Sequence, residues 1–139
     1  MYIYFACSIT GGREFEDVYQ DLIRALLSDG HAIPTAYLAD SGVTALEAKV
    51  SPEEVYNRDV AWIEATSALI AEVSVPSHGV GYEVGYALQV GKPVLCLAQE
   101  GRRVSKMITG NPHPRLTSLS YRDSAEAVRL AREFLAKLS

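Results

Sequence analysis

The chain has 139 residues, of which 48% are hydrophobic and 22% are charged, and its net charge is −4. This size and composition predict a single globular domain over residues 1–139. There is no run of Lys and Arg to form a broad basic face, and no apolar stretch reaches the length of a membrane span. Because the first residues also lack a basic leader, we expect a cytoplasmic protein that binds neither nucleic acid nor membranes.

The cysteines and histidines do not predict a metal site. Cys7 and Cys96 lack the spacing of a metal-binding or redox motif, and the three histidines are scattered along the chain. We therefore expect buried, reduced thiols and neither a metal ion nor another cofactor.

The chain opens with a strand, a Ser/Gly loop and a helix. Residues 2–7 form a short apolar run rich in aromatic and β-branched side chains, which predicts a strand. Apolar residues spaced i, i+3, i+4 then predict a helix from about residue 13 or 14 to Gly30. The glycines of the loop, residues 8–13, allow backbone N–H groups to approach an anion closely. A phosphate site and a plain tight turn both fit this loop, which is neither a G-x-G-x-x-G motif nor a P-loop.

The next segment contains an edge strand, a long loop and a well-marked helix. Residues 31–35 are predicted as an edge strand that ends at Pro34 or just after it, and residues 36–50 as a long loop that is functional or mobile. Ser51, followed by Pro52 and Glu54, predicts the start of a helix that runs to about residue 66. Asp59 lies on or beside the apolar side of this helix, where a carboxylate needs a partner. It is either a site residue or a boundary acid that pairs with Arg58 or water.

A strand–loop–helix–strand unit at the centre of the chain organises the prediction. Residues 68–73 form an apolar strand, a Ser/Gly loop leads into a helix that stops at Gly91, and residues 93–97 form the next strand. The two strands should therefore be parallel. Glu83 is expected in the first turn of the helix, where the helix dipole favours an ionised acid. It either complements that dipole or acts as a carboxylate at the ligand-binding edge of the sheet.

The last third of the chain completes an α/β pattern. A short helix is predicted at 104–109, a fifth strand at 116–121, and a last helix capped by Asp123 or Ser124. Right-handed crossovers then favour a three-layer sandwich with a five-stranded parallel sheet in the flavodoxin-like, Rossmann-like order 2-1-3-4-5. In that order, loops 8–13 and 74–83 face each other across the switch point.

The expected pocket combines two carboxylates, Asp59 and Glu83, with Tyr4 and the two Ser/Gly loops. An ionised Glu beside a Tyr hydroxyl suits nucleophilic displacement at a sugar carbon, with a phosphate held by the loops. Two acids on either side of a glycosidic bond are the usual equipment for its hydrolysis.

Three motifs carry a resemblance to a known family. Residues 3–13 (IYFACSITGGR), 57–63 (NRDVAWI) and 76–85 (PSHGVGYEVG) resemble, in the same order, motifs of the 2′-deoxynucleoside 5′-phosphate N-hydrolase family, which belongs with the nucleoside 2-deoxyribosyltransferases. The resemblance covers nearly the whole chain. It implies an enzyme of N-glycosidase type.

The resemblance also implies a role for each matching position. Glu83 matches the nucleophile, Tyr4 the tyrosine that positions it, and Asp59 the acid that contacts the sugar and assists proton transfer. Ser105 matches a serine that a neighbouring subunit contributes, which implies a homodimer with shared active sites. The implied substrate-binding set is Ser8, Ile9, Thr10, Gly11, Gly12, Arg13, Ser77, Gly79, Ser105 and Met107.

Two positions depart from the family pattern. The hydrolases commonly carry Arg where this chain has Thr10, and its loss removes a charge-assisted contact to phosphate. Arg13 could substitute, or the substrate could be less phosphorylated. Ala6 and Cys7 stand where Cys-Gly is common, so Cys7 either narrows the pocket or packs as a small hydrophobe.

The sequence therefore predicts hydrolysis of (deoxy)ribonucleoside 5′-monophosphates to free base and (deoxy)ribose 5-phosphate through a glycosyl-Glu83 intermediate. A nucleoside 2-deoxyribosyltransferase, which passes the sugar to a second base, is an alternative that shares the nucleophile. A nucleotide-binding module without catalysis is a further alternative, because fold alone does not fix function.

Overall fold

The computed structural model describes residues 1–9 and 12–139. Within them, four parallel strands form one sheet in the order β1-β2-β3-β4. Their bounds are Ile3–Ala6 for β1, Ala68–Glu72 for β2, Val94–Gln99 for β3 and Leu116–Tyr121 for β4.

Helices connect these strands. Their bounds are Glu16–Ser28 for α1, Val43–Glu47 for α2, Pro52–Ala65 for α3, His78–Gln89 for α4, Lys106–Thr109 for α5 and Ser124–Ala136 for α6, with a short 3₁₀ helix at Ala36–Ala39. No helix in the described part of the chain is both long and apolar enough to cross a bilayer.

The sheet has four strands where five were predicted, because residues 31–35 contribute only one bridge. Ala32 pairs in parallel with Tyr2, and its carbonyl accepts a hydrogen bond from the Ile3 N–H at 2.8 Å. The chain then turns, because Pro34 has no N–H to donate and the Ala36 N–H bonds back to the Ile33 carbonyl at 3.1 Å. The segment still lies at the expected edge, beside β1.

The sheet lies between two helical groups because its side chains alternate between two buried clusters. Ile3 and Phe5 of β1 belong to a cluster with residues of α1 and α6, whereas Tyr4 and Ala6 belong to a cluster with residues of α3 and α4. Both faces of the sheet are therefore covered, as parallel sheets require.

Local signals set several helix starts as predicted. The Ser51 hydroxyl accepts a hydrogen bond from the Glu54 N–H at 3.1 Å, and Asp123 caps α6 by accepting from the Glu126 N–H at 2.9 Å. Because β1 and β2 are paired neighbours, the segments that follow them meet at one edge of the sheet.

Candidate active site

A pocket of about 570 Å³ opens where the segments after β1 and β2 meet α2 and α3. It brings together two of the predicted site acids, Asp59 from α3 and Glu83 from α4. Among the described residues its lining is Cys7, Ile9, Thr44, Glu47, Ala48, Val50, Pro52, Val55, Tyr56, Asp59, Val60, Ile63, Ser77, Gly79, Val80, Tyr82 and Glu83. One wall is largely apolar, which suits a flat ring, and the acids supply the polar groups.

Tyr4 and Glu83 form the centre of the site. Tyr4 is fully buried in β1, and its hydroxyl donates a hydrogen bond to Glu83 Oε2. Glu83 stands in the second turn of α4 rather than the first, because the helix begins at His78 after the Ser77 cap. The sequence expectation for its position in the helix was therefore wrong by about one turn, and the dipole argument loses its basis, because the dipole acts mainly within the first turn.

Burial controls the charge of Glu83. It raises the pKa of this carboxyl to about 7, against the lowering effect of the Tyr4 hydrogen bond, while nearby Asp59 raises it and Arg58 lowers it. Burial, followed by the charges of Glu83 and Asp59, raises the pKa of the Tyr4 phenol far above its usual range. Tyr4 therefore remains a donor, and Glu83 can exist in either charge state near neutral pH.

Asp59 both lines the pocket and pairs with Arg58. It lines the pocket, and its Oδ1 accepts a hydrogen bond from Arg58 Nε at 2.8 Å. Burial raises the pKa of Asp59, whereas the hydrogen bond and charge of Arg58 oppose that rise. A boundary acid paired with arginine is thus also a pocket acid.

The loop after β1 is described in part, because Thr10 and Gly11 lie outside the described residues. Ile9 lines the pocket, and Gly12 has a φ of +131°, a conformation that favours glycine. The hydroxyl of Ser8 is fully buried and has no hydrogen-bond partner among the described residues. A buried hydroxyl without a partner among the described residues is available to a ligand or an internal water.

Arg13 is engaged within the protein. Its guanidinium bonds Glu16 at 2.8 Å, the Ser8 carbonyl at 3.0 Å and the Asp40 carbonyl at 3.0 Å. To bind a phosphate in place of the arginine missing at Thr10, it would have to exchange these partners. Its assignment to the substrate stays a prediction.

The start of α4 supplies the second predicted loop. Ser77 and Gly79 line the pocket, and the Ser77 hydroxyl caps the helix by accepting from the Val80 N–H at 3.3 Å. Free N–H groups at a helix N-terminus favour an anion. Cys7, which also lines the pocket, is buried, and burial raises the pKa of its thiol to about 12.

Ser105 and Met107 lie elsewhere in the same chain. They line a separate pocket of about 1050 Å³ beside the start of α4, together with residues 73–85 in part and 103–108. Met107 is 82% exposed, and the Ser105 hydroxyl caps α5. Within one chain they are not among the residues that line the pocket with Asp59 and Glu83.

Sequence reasoning missed two polar groups. Glu72, at the end of β2, is fully buried and accepts hydrogen bonds from Ser74 and Tyr121. Glu47 lines the pocket and binds Arg58 at 3.2 Å. An acid at the end of an apolar strand was a visible signal for Glu72, whereas nothing in the sequence places Glu47 opposite Arg58. Within residues 1–9 and 12–139, no group of three His, Cys, Asp or Glu side chains could hold a metal ion.

The fold is an α/β fold, and its pocket holds two acids, Asp59 and Glu83, where the segments after β1 and β2 meet. A family model described as nucleoside 2-deoxyribosyltransferase matches residues 3–127. The chain therefore belongs to that family, as the resemblance implied.

Related proteins within this family carry more specific names. A Methanosarcina barkeri protein named 2′-deoxynucleoside 5′-phosphate N-hydrolase 1 is 38% identical over 136 residues, which span 98% of this chain and 86% of that protein. The mouse 5-hydroxymethyl-dUMP N-hydrolase is 40% identical over 112 residues, 78% of this chain and 64% of its own length. The prediction of an enzyme of N-glycosidase type is confirmed at this level.

Solved structures share the fold. The CMP N-glycosidase BcmB of Clostridium botulinum superposes with a TM-score of 0.74 over 96% of this chain and 99% of its own, at 20% identity. The solution structure of BlsM gives a TM-score of 0.79, also at 20% identity, over 99% and 90% of the two chains.

Proposed function

We propose that this protein hydrolyses the N-glycosidic bond of (deoxy)ribonucleoside 5′-monophosphates to a free base and (deoxy)ribose 5-phosphate. The observation that carries the proposal is the Tyr4–Glu83 hydrogen bond, with Asp59 in the same pocket. The names of the relatives, which include a 2′-deoxynucleoside 5′-phosphate N-hydrolase, support it.

In the first step, ionised Glu83 attacks the anomeric carbon of the sugar. The carbon–nitrogen bond to the base breaks as the carbon–oxygen bond to Glu83 forms, and the base leaves with the bonding electron pair. Asp59 assists by giving a proton to the base. Tyr4 holds Glu83 in the orientation for attack through its hydroxyl.

In the second step, water replaces Glu83 at the anomeric carbon. Asp59, now ionised, accepts a proton from the water, and the bond from Glu83 to the sugar breaks to release the sugar phosphate. The 5′-phosphate binds the start of α4 at Ser77 and Gly79 and the loop at Ser8, Ile9 and Gly12. These groups hold the anomeric carbon against Glu83.

The decisive experiment follows base release by chromatography from deoxy- and ribonucleoside 5′-monophosphates and from the matching nucleosides. Release from monophosphates, and its loss in Glu83→Ala, is the expected result. Release from nucleosides alone would exclude the role of the phosphate, and no release from either class would overturn the proposal. A sugar-phosphate adduct on the Glu83 peptide, trapped with a 2′-fluoro analogue and found by mass spectrometry, tests the covalent intermediate.

A 2-deoxyribosyltransferase is the second candidate, because the matching family model carries that description. It would use the same first step and a second base in place of water. Incubation of a deoxynucleoside or deoxynucleotide with a foreign base separates the two, since efficient formation of the new glycosidic bond occurs only with a transferase.

We also propose that two copies share their active sites. Ser105 and exposed Met107 line the pocket beyond α4 and not the pocket with Asp59 and Glu83, so the serine that the family resemblance assigns to the site would come from a second copy. An exposed aromatic patch on α3 and α4 supports this, with Tyr82 stacked on Tyr86 at 6.3 Å between ring centroids.

Complementation tests the shared site. Glu83→Ala and Ser105→Trp are each expected to be inactive, and their mixture should regain about a quarter of wild-type activity if subunits assort at random. Sedimentation of the wild-type protein should give a dimer. A monomer with full activity, or a mixture without recovery, would overturn the proposal.

A further inference from the structure

Arg58 links two acids that line the pocket from two different helices. Its Nε donates to Asp59 Oδ1 at 2.8 Å, and its Nη2 donates to Glu47 Oε1 at 3.2 Å and Oε2 at 3.4 Å. Asp59 belongs to α3 and Glu47 is the last residue of α2. One guanidinium therefore ties both walls of the pocket together.

Aromatic side chains hold this guanidinium in place. Its carbon lies 5.1 Å from the Trp62 ring centroid and 5.7 Å from that of Tyr37. The Tyr37 hydroxyl donates to Glu47 Oε1 at 2.8 Å, so the same ring that packs on Arg58 also fixes its acidic partner. The side chains of Arg58 and Glu47 are only 25% and 13% exposed, which distinguishes the pair from a solvated surface ion pair.

Helix α2 is short and needs contacts with other elements to stay in place. It has five residues, and Val43 is its one buried side chain. A helix this short does not hold itself in place in water. Thr44, Glu47 and Ala48 of this segment nevertheless line the pocket. The Glu47–Arg58 pair is the described ion pair that joins the segment to α3.

Arg58 also sets the electrostatics of the pocket. Burial raises the pKa of Asp59, and Arg58 provides the hydrogen bond and charge that oppose this rise. The charge of Glu47 raises the Asp59 pKa further, and the Tyr4 hydroxyl lowers it. The charge of Asp59 raises the pKa of Glu83, whereas the charge of Arg58 lowers it. The cation thus acts on both acids of the site.

We propose that Arg58 is a positioning residue that closes the α2 wall over the bound base through Glu47 and holds Asp59 in its reactive orientation. The link to turnover rests on the proposed function. The link between Arg58, Asp59 and α2 does not, and a measurement without substrate tests it.

The test compares Arg58→Gln, Arg58→Lys and Glu47→Gln with a matched control, Arg24→Gln. Arg24 pairs with Asp21 at 3.0 Å on the exposed face of α1. In the absence of substrate, the Asp59 carboxyl is titrated by carbon NMR. We expect Arg58→Gln to move this titration up by about 1 pH unit, Arg58→Lys to leave it near wild type, and Glu47→Gln to move it slightly down.

Kinetics supply the second readout. Both Arg58→Gln and Glu47→Gln should raise KM about tenfold, because each releases α2 from α3, whereas the pH profile should move upward only in Arg58→Gln. Arg58→Lys should keep the wild-type pH profile but not the KM, because a single ammonium cannot bridge two acids as the guanidinium does. Arg24→Gln should match wild type in both.

Each outcome decides the proposal. An unchanged Asp59 titration in folded Arg58→Gln would overturn the electrostatic role, and an unchanged KM in folded Glu47→Gln would overturn the closing of α2. If the wild-type protein releases no base, the proposed function fails. In that case the rate of proteolysis within residues 40–50 is measured in place of KM. Faster cleavage in Arg58→Gln and Glu47→Gln than in Arg24→Gln supports the link between α2 and α3. Circular dichroism and thermal unfolding establish that each variant is folded.

Discussion

Two glutamates on opposite faces of the sheet, fully buried Glu72 and partly buried Glu83, have different surroundings. Glu72 follows Ile70 in the alternation of β2 and points to the face covered by α1 and α6, whereas Glu83 of α4 lies on the other face. Burial is the largest cause of a raised pKa in both. In both residues, therefore, burial disfavours the ionised form of the carboxyl group.

Their partners separate them. Glu72 Oε1 accepts from the Ser74 N–H at 2.8 Å, and its Oε2 accepts from the Ser74 hydroxyl at 2.8 Å and from Tyr121. Ser74 also accepts from the Gln99 N–H at 2.8 Å, so Glu72 joins the ends of three strands. Glu83 has one described hydrogen bond, from Tyr4, and faces a pocket. A raised pKa is therefore common to Glu72 and to the proposed nucleophile Glu83, and the two differ in the free bonding capacity that Glu83 has toward a cavity.

The largest expected effect is on turnover. Glu83→Gln should reduce base release on the order of 10⁴-fold, because it removes the proposed nucleophile and keeps its shape. Glu72→Gln makes the same chemical change and should retain turnover within about tenfold. Steady-state assays at 25 °C on both variants measure the contrast. Equal losses of turnover in the two variants would show that Glu72 and Glu83 do not differ in their importance for turnover.

The reverse contrast should appear in stability. Glu72→Gln should lower the free energy of unfolding by about 3 kcal/mol, because an amide cannot accept all the hydrogen bonds that the carboxylate accepts. Urea denaturation at pH 7 measures this, with Glu83→Gln as the matched control. A Glu72 variant as stable as wild type would mean that the Ser74–Tyr121 network does not hold the strand ends.

Tyr4→Phe should have a smaller effect with a specific signature. Loss of the hydroxyl removes the bond that favours ionised Glu83, so its pKa rises above about 7. In wild type, kcat/KM should fall below about pH 7, where Glu83 becomes protonated. In Tyr4→Phe that limb should move upward, with a loss of about tenfold at pH 7. If the acidic limb of the pH profile does not move in Tyr4→Phe, the Tyr4 hydroxyl does not influence the charge of Glu83.

The last expected effect is a gain in stability that depends on pH. The folded protein keeps the Glu83 proton up to about pH 7, above the ordinary value of 4.5, so ionised Glu83 destabilises the fold as pH rises through this window. Glu83→Gln should therefore gain stability relative to wild type between about pH 4.5 and pH 8, by up to about 3 kcal/mol, because each unit of the pKa rise is worth about 1.4 kcal/mol. Thermal unfolding at both pH values gives the difference, and a less stable variant at pH 8 would contradict the burial cost.

Much of the fold was predictable because it depends on short-range signals. Ser51 and Asp123 cap helices as expected, and the four strands of the sheet lie near their predicted positions. The prediction of a fifth strand was wrong because the chain turns at Pro34 and forms only one bridge, at Ala32. This outcome depends on tertiary hydrogen bonds.

The site was predictable where residues share a motif. Tyr4, Asp59 and Glu83 were named from the sequence, and the structure brings Tyr4 against Glu83 and Asp59 into the same pocket. Glu47 was not named, because its link to Arg58 spans eleven residues and depends on how a loop folds back. Contacts of this kind have no local pattern in the sequence.

The first two turns of α4 separate the two pockets and line both of them. Ser77, Val80 and Tyr82 contribute to the pocket of about 570 Å³ and to that of about 1050 Å³. Because a helix is only about 10 Å across, there is no second layer of side chains between the cavities. Substitutions at these three positions therefore reshape both cavities at once, and this part of the chain cannot be tuned for one ligand without changing what fits on the opposite side.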